Sequence, residues 1–186
     1  MTSHAAIVSL WAIWLAFWVV NSFGNKRTVK RTNPAWRFGI VAVALFLMAV
    51  AREYPGVFAG PRLVPHDEGI SALAVGLCAL GVGIAIWARA VLGRNWSGNP
   101  TIKEGHELIR SGPYRFVRHP IYTGLLLAIL GTCLRGGRAA DIAIFAVVVG
   151  ISVVKLRIEE SLMLEQFPEA YAEYRKQTKA LVPYVI

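Results

Sequence analysis

Charge is scarce in this chain, and acid is the scarcer sign. Charged residues fill 17% of 186 positions, against about 25% in an ordinary soluble domain. With 55% hydrophobic residues and a mean hydropathy of +0.50, the composition excludes such a domain and indicates a membrane protein. Cysteine is limited to Cys78 and Cys133. Both fall in apolar runs and read as buried thiols, not as a disulfide or a metal site. No His/Cys group has metal-ligand spacing, no Gly-x-Ser-x-Gly elbow occurs, and neither a Walker loop nor a Rossmann fingerprint follows a strand. Period-2 alternation is also missing, so the membrane-crossing backbone must be helical and not a barrel. The net charge of +9 does not indicate nucleic acid, because the basic residues cluster just outside apolar runs. No basic stretch precedes the first of these runs, so it reads as an uncleaved span and not a signal peptide.

What is present is a series of apolar runs, four or five of them candidates to span a hydrocarbon core of about 30 Å. The first covers residues 5–20 and carries Trp11, Trp14 and Trp18 on one face, a lipid-facing or packing stripe. Residues 25–37 follow, holding Lys26, Arg27, Lys30, Arg31 and Arg37 without an acid, and are expected on the cytoplasmic side. A second span is expected at 38–51, a charge-balanced outer loop at 52–68, and a third span at 70–89 whose Gly76, Gly81 and Gly83 permit close helix approach. The polar, basic stretch 90–119 returns to the side of the 25–37 loop. Residues 121–134 and 141–154, joined by a turn at 135–138, form a tight helical hairpin, and Pro168 opens a short helix carrying Tyr171 and Tyr174. The expected architecture is therefore all-α and integral to the membrane, with about five spans in a single domain over 1–186: two spans in 1–68, and the third span, a binding segment, the hairpin and the tail in 69–186.

Chemistry concentrates in two stretches. In Arg118-His119-Pro120-Ile121-Tyr122, proline suits the first helical turn while the residue before it disfavours helix, so the hairpin helix should begin near Pro120. Its free amides and dipole would receive an anionic group such as an amino-acid carboxylate; an interfacial anchor is the plainer alternative. In Lys155-Leu156-Arg157-Ile158-Glu159-Glu160, Lys155 and Glu159 are four apart and share a face. These charges close an apolar run, as a site at the membrane interface would. His106 alone reads as a surface histidine.

Taken together, Gly105-His-Glu-Leu-Ile-Arg-Ser-Gly-Pro-Tyr114, Arg118-His-Pro-Ile-Tyr122, Glu159-Glu160 and Phe167-Pro-Glu-Ala-Tyr-Ala-Glu-Tyr174 resemble the isoprenylcysteine carboxyl methyltransferase family, which is related to membrane phospholipid methyltransferases. The likeness covers about 95–183. It implies an S-adenosylmethionine cofactor, bound on the cytoplasmic side by Asn99, His106, Glu107, Leu108, Ile109, Tyr114, His119, Pro120, Ile121, Tyr122 and Glu159. It also implies a lipophilic or prenylated acceptor, most simply a carboxylate, oriented by Lys155 or Arg157 with Arg118 as a further cation, in a setting of membrane lipid. Where the family often has arginine four residues before the glutamate, this chain has Lys155, which lacks the bidentate fork for a carboxylate. A phospholipid amine or a small thiol is the alternative acceptor. A nicotinamide-dependent membrane reductase and a non-enzymatic scaffold are the alternative functions.

Overall fold

The computed structural model describes residues 2–23, 28–31, 56, 60–96, 101–103 and 107–183. The expected second span at 38–51 lies outside them, as does the 25–37 loop apart from 28–31. Helix α1 (Ser3–Val20) begins at Thr2, whose hydroxyl accepts from the Ala5 amide. Helix α2 (Glu68–Leu92) begins at Asp67, whose carboxylate accepts the Ile70 amide at 2.8 Å. Both starts satisfy amides that a helix leaves unbonded in its first turn. Helix α3 (Pro120–Gly136) starts on proline as expected and stops at Gly137, which takes φ 68°. Helix α4 (Ala139–Gln166) follows at once, the Asp141 carboxylate accepting the Arg138 amide at 2.8 Å. Helix α5 (Pro168–Gln177) closes the order.

Three of these helices are long and apolar enough to cross a membrane: α1, α2 extended to Asn95, and α4. With 17 residues, α3 is shorter, about 25 Å at 1.5 Å per residue. Apolar side chains on α1, among them Val8, Ile13, Leu15 and Val19, stay exposed. In a span, that surface meets lipid.

The main neighbour of α3 is not its hairpin partner. Helix α3 packs most extensively on α2 and much less on α4. Small residues explain the preference. Ala74, Cys78, Gly81, Ala85 and Ala88 recur at four and three positions along α2 and face Gly124, Ala128 and Gly131 of α3. A methyl group added at Gly131 would sit 2.5 Å from the Ala74 carbonyl oxygen, and one at Gly124 2.5 Å from that of Gly81. The backbones touch, as small residues allow in membrane helices. Of the glycines expected to serve this approach, only Gly81 does so; Gly76 and Gly83 meet nothing among the described residues. The tryptophan stripe is packing surface: Trp11 and Trp14 lie against Cys78, Val82 and Ala128, and the Trp11 indole donates to Thr132 Oγ1 at 3.0 Å.

The ends of the bundle are closed differently. At one, Leu63 and Val64 amides donate to the Gly137 carbonyl at 2.7 and 3.1 Å, and Arg135 Nε reaches Ser3 Oγ at 2.7 Å. At the other, buried Arg89 donates to the carbonyls of Gly93 and Asn21 and lies 4.7 Å over Trp96, joining α1 to α2. Strands β1 (Thr28–Arg31) and β2 (Thr101–Lys103) pair antiparallel, Arg31 with Thr101 and Lys30 with Ile102. This ribbon adds to the expected all-α fold and brings Thr28–Arg31 and Thr101–Lys103, one segment from each basic stretch, side by side.

Candidate functional site

The site is built at the start of α3. A 3-10 turn at Gly112–Arg115, entered through Gly112 at φ 59°, turns the chain so that Arg118 and His119 arrive beside the last third of α4. His119 is the cap residue of α3 but makes no side-chain capping bond, so its imidazole is free to turn toward α4. Pro120 behind it is fully buried. The C-terminal stretch then runs alongside: the amides of Arg118 and His119 donate to the carbonyls of Lys179 and Ala180 at 2.8 and 3.0 Å, and Thr123 Oγ1 donates to the Leu181 carbonyl at 2.6 Å. Residues 178–181 thus form a strap across the start of the helix.

Two neighbouring carboxylates face this segment and are used differently. Glu160 Oε1 accepts from Arg118 Nε at 2.7 Å and lies 3.3 Å from His119 Nε2, while Oε2 lies 3.6 Å from Arg175 Nε. Arg118 also donates to the Thr178 carbonyl in the strap. Glu159 Oε1 accepts the Tyr122 hydroxyl at 2.7 Å, and its Oε2 lies 3.7 Å from His119 Nδ1. Cations therefore surround Glu160, whereas Glu159 holds one neutral donor and, with four lone-pair positions, can accept more. Lys155 Nζ sits 5.3 Å from the centre of the Tyr122 ring, a cation–π distance.

Tyrosines wall the cluster. Tyr174 donates to the Tyr114 carbonyl at 2.5 Å, and Tyr114 lies buried beneath α2, its hydroxyl 3.4 Å from the Ala88 carbonyl. Burial raises all three phenols here, Tyr114, Tyr171 and Tyr174, the last to about 12, so they are neutral donors at physiological pH. The Tyr171 hydroxyl is buried and has no hydrogen-bond partner among the described residues.

Of the residues singled out from sequence, Arg118, His119, Pro120, Tyr122, Lys155 and Glu159 converge here, and Tyr114 backs them. Ile121, Leu108 and Ile109 are half-buried, and Glu107 and Arg157 are exposed. Asn99 and His106 lie outside the described residues. Sequence reasoning named Glu160 only beside Glu159, as an alternative base, and did not find its contacts with Arg118, His119 and Arg175 or the role of the strap. The Glu159-Glu160 doublet was a usable signal for the first; backbone pairing by 178–181 has none.

A helical membrane bundle with a half-buried carboxylate–histidine–tyrosine cluster at one end defines the class. A family model for phospholipid methyltransferases matches residues 70–170, and the chain belongs to that family. The cobalt-zinc-cadmium resistance protein CzcN of Cupriavidus metallidurans is 30% identical over 149 residues, covering 80% of this chain and 62% of the relative. The protein-S-isoprenylcysteine O-methyltransferase of Schizosaccharomyces pombe is 28% identical over 115 residues, covering 60% and 49%. The structure of a eukaryotic intramembrane Ras methyltransferase, an isoprenylcysteine carboxyl methyltransferase, superposes with a TM-score of 0.57 at 22% identity, covering 83% of this chain and 55% of that one. The resemblance read from the motifs is borne out, and the fold is shared. In each case the chain spans less than two thirds of the relative's length.

Proposed function

We propose that this protein is an S-adenosylmethionine-dependent methyltransferase acting in the membrane on a lipophilic acceptor, most simply the carboxylate of an isoprenylcysteine-like molecule. The observation that carries this reading is Glu159: a half-buried carboxylate, fixed by Tyr122, with accepting capacity left beside an α3 start that no side chain caps. The residues present fit the cofactor. Glu159 suits its ammonium, the first amides of α3 suit its carboxylate, and the neutral, buried Tyr114 with the apolar Leu108 and Ile109 suits its base. The resemblance adds Asn99, His106, Glu107, Pro120 and Ile121 to that set. When bound, the group would supply a methyl on a sulfonium.

An acceptor carboxylate needs no base, since an α-carboxyl ionises at about 3.3–3.7. The chain's remaining task is then to orient it, which falls to Lys155 at the Tyr122 ring and to the exposed Arg157. Arg118 contributes positive charge nearby. An amine or thiol acceptor would have to lose a proton, and Glu159 is the carboxylate with room to take it. The pairing of β1 with β2 supports a topology in which both basic stretches share one side, and the excess of cations in them favours the cytoplasm for that side.

The test is methyl transfer from labelled cofactor to prenylcysteine, phospholipid and thiol acceptors. Label released as methanol from a prenylcysteine ester is expected. Label in phospholipid or thiol redirects the acceptor. Absence of label together with no binding of S-adenosylhomocysteine overturns the reading, and protection by NADPH instead supports a reductase.

A further inference from the structure

Glu160 has no part in the cofactor set above, yet it is the most heavily contacted carboxylate of the cluster. Its Oε1 receives both Arg118 Nε and His119 Nε2, and Oε2 faces Arg175. We propose that Glu160 is a positioning residue: it holds His119 with the ring proton on Nε2, leaving Nδ1 as an acceptor beside Glu159.

Which ring nitrogen carries the proton is decided by the hydrogen bond the ring makes. Only the Nε2 contact is at hydrogen-bond distance, 3.3 Å, while Nδ1 is 3.7 Å from Glu159 Oε2. Arg118 and Arg175 already balance the Glu160 charge, so the ring has only to donate once. The other groups around it leave the assignment intact: Tyr122, on its own helix, meets His119 edge to face at 5.9 Å and spends its hydroxyl on Glu159, and the ring of Tyr171 on α5 packs against Tyr174. With the proton on Nε2, two acceptors, Nδ1 and Glu159 Oε2, face each other across a gap too wide for a direct bond. A donor with more than one N–H satisfies both. A primary ammonium has that chemistry, and identifying it with the cofactor's amine rests on the function proposed above.

The strap makes the arrangement conditional. Arg118 joins Glu160 to the Thr178 carbonyl, and the backbone of 178–180 holds the Arg118 and His119 amides. His119 is therefore held on both sides, its ring by α4 and its backbone by the tail.

The experiment is nitrogen NMR of the full chain in lipid nanodiscs with ring-labelled histidine, the His119 signal among the four histidines being assigned by its loss in His119→Asn. The expected spectrum has Nε2 protonated and Nδ1 bare in the ligand-free protein. Glu160→Gln retains it, because the amide oxygen still accepts, and Glu160→Leu converts it to an exchanging mixture. S-adenosylhomocysteine affinity should fall less than about threefold in the first variant and about tenfold or more in the second, the worth of one charge-assisted hydrogen bond. A wild-type ring protonated on Nδ1, or on both nitrogens, overturns the proposal without any variant, as does a signal unmoved by Glu160→Leu in folded protein. If the ring is as described but S-adenosylhomocysteine does not bind, the cofactor reading fails and the positioning role stands.

Discussion

The two ends of this bundle use the same residue types for opposite purposes. At the hairpin turn, Arg62 and Arg135 donate to a backbone carbonyl and a serine hydroxyl, and Asp141 is spent on the Arg138 amide three residues away. The contacts there close the turn, cap a helix or tie α1 to α3. At the start of α3, side chains reach across 37 to 42 residues of sequence, from Tyr122 to Glu159 and from Arg118 to Glu160, and one carboxylate keeps capacity to accept. Polar residues at a membrane boundary are thus ambiguous by type. What separates closure from a site is whether a carboxylate keeps capacity to accept.

The comparison is broken most sharply at Glu159. Glu159→Ala should lower methyl transfer about 100-fold, the scale of a lost charged partner, with a smaller loss of stability, because the Tyr122 hydroxyl loses its acceptor while Glu160 keeps Arg118, His119 and Arg175. Labelled-methyl turnover and thermal melting in detergent check the two halves. Of similar size is Arg118→Ala, which leaves Glu160 without its nearest cation and the strap without its anchor; a loss of about 3 kcal/mol is expected for a mostly buried pair, seen as easier proteolysis after Gln177. At the far end, Asp141→Ala removes a helix cap worth about 1 kcal/mol and should leave methyl transfer unchanged. Reduced turnover in that variant at full folding would erase the distinction between the ends.

A last effect, absent at physiological pH, appears only in alkali. Burial raises the Tyr174 phenol to about 12, while an unfolded tyrosine ionises near 10. The folded state thus favours the neutral phenol, and this contribution is fully present below about pH 10 and lost as pH rises toward 12. The stability gap between wild type and Tyr174→Phe should narrow over that interval.

Much of this was legible in the sequence. Pro120 and Pro168 marked helix starts, and apolar length gave α1 and α2; the run 141–154 looked short for a crossing, whereas α4 continues through its charged end to Gln166. His119, Tyr122 and Glu159 were legible because their motifs sit beside apolar runs. Three things were not. Hairpin connectivity suggested that α3 would pack on α4, but Gly81, Gly124 and Gly131 let it press on α2, and which glycines meet depends on helix rotation. The β1–β2 ribbon consists of short polar strands that carry no periodic signal. The strap at 178–181 acts through backbone carbonyls, which any side-chain pattern leaves unmarked; with it went the part played by Arg118 and Glu160.

The central claim is that the start of α3 and Glu159, not the opposite end, hold the cofactor. Calorimetric titration of S-adenosylhomocysteine into wild type, Glu159→Ala and Asp141→Ala tests it most directly. Binding should be retained in Asp141→Ala and weakened about 100-fold in Glu159→Ala; equal affinity in the two folded variants would contradict it.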